Sequence, residues 1–134
     1  MENEVIETRT ARIWLGEDGI IRTVFLTNSE LTLEDAKEID TVTSGMTDGK
    51  EYPFLIDLRK IKSVAREVRN YGSEMKTRRN ASALLISSPL SRVLGNLYLG
   101  INKPIHPVKL FVSEDEAIKW LKGFMETEDT RDGK

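Results

Sequence analysis

Six residues, Pro53-Phe54-Leu55-Ile56-Asp57-Leu58, constrain this chain more than any other stretch. The run is too short for a core helix and too continuously apolar for a strand with one wet face. It therefore predicts a strand covered on both sides, as found in parallel sheets. Such a strand needs helices above and below it, and its neighbours in sequence must alternate between the two periodicities.

They do. Residues 5–15 and 20–27 are rich in β-branched and aromatic side chains and are separated by Gly16-Glu17-Asp18-Gly19, so they predict an antiparallel hairpin. Thr32 is placed to cap a helix with Glu34 and Asp35 in its first turn, and Gly45 and Gly49 bracket its end. After the apolar run, Ser63 is the expected cap of a second helix whose Val64, Val68, Tyr71 and Met75 share one face. Ala81–Ser87 is the next strand. Ser88-Pro89 opens a third helix with Leu90, Val93, Leu94, Leu97, Tyr98 and Ile101 as its buried stripe. Asn102 to Pro107 ends it, Val108–Val112 is the last strand, and Ser113-Glu114-Asp115-Glu116 is a capping box before Ala117, Trp120, Leu121 and Phe124. Trp120 is expected under this helix. The order is ββαβαβαβα, an α/β fold with a mixed, largely parallel five-stranded sheet and four helices. Residues 1–125 form one domain, and 126–134, which hold no large apolar side chain, are expected to be a disordered tail.

Bulk properties exclude several classes. A chain of 134 residues with 39% hydrophobic and 31% charged side chains supports one packed core. Without cysteine it has no disulfide, thiolate nucleophile or cysteine-based metal site, in keeping with a reducing compartment. Its acidic start lacks the basic and apolar regions of a signal peptide, and no apolar run approaches the ~20 residues that span a bilayer. A cytoplasmic location and no membrane insertion are expected. The net charge of −2 is uneven: residues 59–79 hold eight basic side chains against Glu67 and Glu74, a local +6 that suits an anion, an acidic partner or simply a solvated face. No nucleic acid is expected as a partner.

There is no glycine-rich dinucleotide or phosphate loop and no nucleophile elbow, so no cofactor, no metal and no catalytic residues are assigned. His106, the single histidine, has no local partner for metal binding or base catalysis and is expected to be structural or exposed. Asp57 lies at the carboxyl end of a parallel strand, where open α/β sheets place ligands, although a carboxylate there also serves to bind nearby backbone amides. Ser87, Ser88, Ser91 and Arg92 follow the next strand at a helix start, and Ser63, Arg66 and Ser113 arrive at the same rim. These eight residues are the candidate ligand- or partner-binding set. Gly95, Leu99 and Gly100 lie off the stripe of the third helix and raise the expectation of a homodimer through it.

The element order, with Phe54–Leu58, Pro89–Leu97 and Phe111–Leu121, resembles the STAS group, the SpoIIAA-like fold of anti-sigma-factor antagonists. The closest resemblance is to small uncharacterised bacterial members described as STAS/SEC14-like. It implies a noncatalytic binding or regulatory module, acting on an unknown protein partner or a small anionic ligand. The antagonists carry an Asp-Ser pair whose serine is phosphorylated; here that pair falls on Ala65 and Arg66, so the phosphoacceptor is missing and Ser63 lies two to three residues early. The alternative is a carrier of lipid or another apolar small molecule, and an enzyme comes third.

Overall fold

The computed structural model describes residues 4–71, 75–89, 92–93 and 106–132. Eight strands and three helices lie within them: β1 (Ile6–Glu7), β2 (Ala11–Leu15), β3 (Ile21–Phe25), β4 (Ser29–Leu31), α1 (Leu33–Thr47), β5 (Tyr52–Asp57), β6 (Ile61–Val64), α2 (Arg66–Tyr71), β7 (Arg79–Leu85), β8 (Val108–Phe111) and α3 (Glu114–Asp132). Six strands form one sheet in the order β1-β2-β3-β5-β7-β8, and β4 and β6 pair by themselves.

β1, β2 and β3 are antiparallel, whereas β3-β5, β5-β7 and β7-β8 are parallel. The predicted hairpin forms around Gly16 and Gly19. Gly16 donates to the Ile20 carbonyl at 2.9 Å, and Gly19 holds φ +85°, a backbone region that a Cβ disfavours. The predicted apolar strand is β5, with Phe54 and Leu55 buried on opposite faces. Phe54 joins Ile13, Ile21, Phe25 and Ile39 of α1 in one core; Leu55 joins Ala81, Ala83, Leu85, Ala117 and Leu121 under α3 in the other. The near-continuous apolarity of β5 thus reflects a sheet covered on both faces.

The strand count departs from five for local reasons. The run 5–15 is split because the Thr8 side chain accepts from the amides of Thr10 and Ala11, turning the chain between β1 and β2. β4 and β6 are short extended pieces inside two strand-to-helix connections, and their parallel pairing decides their conformation. Ser63 is consequently no helix cap: it sits in β6 opposite Glu30, and Val64 belongs to that strand rather than to a helical stripe. α2 begins only at Arg66.

Other expectations hold with changes. Thr32 caps α1 in a reciprocal box with Asp35; the helix runs through Gly45 and ends at Asp48 in the left-handed conformation. Trp120 is half-buried rather than enclosed, packed against Phe111 (ring centroids 5.5 Å) and Phe124 (4.8 Å, edge-on). It flanks α3 toward the edge strand β8, and the fully buried positions are Ala117 and Leu121. Most of the predicted third helix, with Gly95, Leu99 and Gly100, lies outside the described residues. Val93, assigned to its buried stripe, is 53% exposed.

Candidate functional site

The parallel strands deliver their carboxyl ends to one rim. Val24 lies opposite Asp57, Asp57 opposite Leu85, and Leu85 opposite Phe111, so the segments after β3, β5, β7 and β8 emerge side by side. The Leu58 amide donates to the Leu85 carbonyl at 2.9 Å and Ile86 to Phe111 at 2.9 Å, which carries this alignment one residue past the strands. Asp57, Ser87 and Ser113 are gathered here as the alternation predicts. The connection through β4 and β6 adds Ser63 and Arg66, anchored where the Asn28 amide donates to the Lys60 carbonyl at 2.8 Å.

Asp57 is nearly buried and its carboxylate is engaged by one residue that the sequence reading left in the basic segment. Arg59 donates from Nε (3.0 Å), Nη2 (2.7 Å) and its backbone amide (3.0 Å). Its guanidinium also lies 3.5 Å from Glu114 at the start of α3. A two-residue spacing at a strand end lets one side chain fold back on the other; this fork is how Arg pairs with carboxylates. With both oxygens so held, Asp57 is a poor general base and a good brace.

The remaining candidates divide. Ser63 and Ser87 are exposed, while Ser88 and Ser113 are half-buried helix starts. The Ser88 carbonyl accepts from Arg92 N at 3.0 Å; Ser113 Oγ accepts from Glu116 N at 3.3 Å. Ser113 thus caps α3 through its side chain, as predicted. Arg66 and Arg92 are exposed, and Ser91 lies outside the described residues. The rim is less positive than its cations imply. Arg59 is taken by Asp57 and Glu114, Lys62 lies 3.3 Å from Glu30, and Arg9 is paired with Asp35. Among the described residues, no ion pair engages Lys60, Arg66 or Arg92.

Two buried carboxylates on α1 hold the frame. Asp35 accepts from Arg9, from the Thr32 amide (2.9 Å) and from the Thr32 hydroxyl (2.9 Å), and the Arg9 hydrogen bonds above all lower its pKa to about 2. Asp40 is 1% exposed and accepts from Tyr71 Oη (3.0 Å), Lys76 N (2.8 Å), Thr77 N (3.0 Å) and Thr77 Oγ1 (2.7 Å). Burial raises its pKa, but these donors together outweigh burial and hold it below the ordinary value. Sequence patterning could not find Asp40, because its partners lie 31 to 37 residues away.

His106 also acquires a distant partner. Its Nε2 lies 2.9 Å from the hydroxyl of Ser82 in the middle of β7. Burial, with a smaller effect of Arg79, lowers its pKa to about 4. A serine beside a neutral imidazole is the beginning of a nucleophilic pair, but Ser82 is completely buried and the contact fastens the approach to β8 onto β7. Among the described residues there is no group of three or more metal-ligating side chains, and no described helix is long and apolar enough to cross a membrane. A groove of about 430 Å³ on α3 is lined by Asp115, Ile118, Lys119, Lys122 and Gly123. It is open and carries three charges, so it lends no support to an apolar ligand, which requires an enclosed apolar cavity.

Residues 13–125 match the family described as Domain of unknown function (DUF7793). The chain belongs to this family. Among solved structures, an uncharacterised DUF3478-family protein from Shewanella loihica PV-4 with a SpoIIAA-like fold matches with a TM-score of 0.55 and 14% identity, over 90% of this chain and 92% of that one. The DUF7793 chain thus shares the SpoIIAA-like fold expected from its sequence. A protein of unknown function from Arthrobacter sp. FB24 is 31% identical over 87% of this chain and 95% of its own, with a TM-score of 0.35. No curated protein matches the chain.

Proposed function

We propose that this DUF7793 chain is a noncatalytic interaction module of the STAS type, which uses the carboxyl-end rim to bind an acidic segment of a protein partner or a small anion. The observation that carries this reading is the division of labour at the rim. Its one nearly buried strand-end acid is saturated by Arg59, while Lys60, Arg66 and Arg92 stand exposed. A base with both oxygens engaged and a serine wholly out of solvent argue against hydrolysis or transfer chemistry at either place. Exposed cations without an ion-pair partner among the described residues favour a negative ligand over a positive one.

The reading also separates this chain from a phosphoswitch. In the resembled antagonists the phosphorylated pair falls where Ala65 and Arg66 stand, and Arg66 has the charge opposite to phosphoserine. Regulation would come from occupancy of the rim. Substituting Arg66→Ala and Arg92→Ala together and titrating phosphate, sulfate and acidic peptides by calorimetry tests the assignment. The unmodified protein should bind at least one of them, and the double variant about tenfold more weakly, as for loss of about 1.4 kcal/mol. If neither form binds, or both bind alike, the rim is structural.

A further inference from the structure

The small β4-β6 sheet has two outer sides, and they are treated differently. On β4 the outward carbonyl of Glu30 accepts from Arg9 Nη2 at 2.9 Å, and Arg9 is itself clamped by Asp35. That side is closed to further pairing. On β6 the Ala65 amide donates to the Leu31 carbonyl at 2.8 Å, which turns the intervening peptide groups of Val64 away from β4. Among the described residues, β4 is the only strand beside β6. Lys60, Lys62 and Ser63 are exposed along it, Arg66 follows, and no acid occurs between Arg59 and Arg66.

We propose that the outer side of β6 accepts an extended acidic segment of a partner protein as a third strand of the small sheet. The inference rests on the interaction-module reading and specifies the partner class and the way it is held. Main-chain bonds to Val64 supply the pairing, and Lys60, Lys62 and Arg66 select for negative side chains. The register shift between Ser29 and Glu30 leaves Lys62 as the extra residue of a bulge, an irregularity that bends a strand locally. Lysines on an edge also repel basic strands and are costly to desolvate against apolar ones, so the device that guards β6 against aggregation favours an acidic partner. The contact between Lys62 and Glu30 is no obstacle, because both side chains are about 60% exposed and such pairs are weak.

The test uses the full chain and an acetylated, amidated eight-residue peptide alternating glutamate and valine, followed by amide chemical shifts at low and physiological ionic strength. Binding should move the amides of Lys62 and Val64, weaken with salt, and fall about tenfold in Lys60→Glu/Lys62→Glu. A fully N-methylated peptide of the same sequence keeps the charges and side chains but cannot donate; it should also bind about tenfold more weakly. Equal binding by the N-methylated peptide overturns strand addition. Binding that is insensitive to Lys60→Glu/Lys62→Glu but lost in Arg66→Ala/Arg92→Ala overturns the β6 site and leaves the rim reading standing. No binding to peptide, phosphate or sulfate overturns both.

Discussion

Asp40 shows how much one side chain can hold. Four donors from Tyr71, Lys76 and Thr77 converge on a carboxylate that is 1% exposed, tying α1 to the end of α2 and to the approach to β7. Asp40→Ala strands several buried donors and should cost about 3 kcal/mol in chemical denaturation, with Asp40→Asn recovering part of it. An unchanged midpoint would show that the network is dispensable. His106 adds a pH dependence of definite sign. Its folded pKa, about 4, lies below the ordinary 6.5, so protonation favours the unfolded chain. Stability is complete above pH 6.5 and falls as pH drops through 4. Asp35, at about 2, and Asp40 add further losses below their ordinary value of 3.8. His106→Gln should flatten the stability profile between pH 6.5 and 4 while leaving the steeper acid limb. A profile equally sloped in that window would contradict the neutral, Ser82-bonded imidazole.

At the scale of elements, α3 is attached by two kinds of contact. Ala117 and Leu121 are wholly buried against β5 and β7, whereas Trp120 covers the β8 flank through Phe111 and Phe124. Leu121→Ala removes close-packed volume and should cost about 3 kcal/mol. Trp120→Ala should cost less, about 2 kcal/mol, because part of the indole already faces water, and Trp120→Phe should be milder still. Urea titrations that place Trp120→Ala well above Leu121→Ala would mean that the aromatic flank, not the helix centre, holds α3. Helical spacing identified which residues of α3 face inward. It could not say that the inward arc is wider than the sheet beneath it, because the position of β8 at the edge is a property of strand order.

For the whole molecule, the doubly covered sheet and the exposed rim should differ in local stability. Amides of β3, β5 and β7, flanked by strands on both sides, should exchange only through global unfolding, whereas those of β6 and α2 should exchange through smaller openings, orders of magnitude faster. Uniform protection would leave β6 no readiness to take a new strand. The alternation of periodicities, the turn at Gly16–Gly19, the caps at Thr32 and Ser113, and the gathering of Asp57, Ser87 and Ser113 at one rim were legible in the chain, because each depends on residues within a few positions or on the regular return of parallel strands. The small β4-β6 sheet, the displaced start of α2, the contact of Arg59 with Glu114, and the partners of Asp40 and His106 were not. Those depend on which segments meet across 24 to 55 residues, and a local pattern records a side chain's preference but not the neighbour that satisfies it. Ser63 marks the boundary: its sequence fits a helix cap, and only pairing with Glu30 makes it part of a strand.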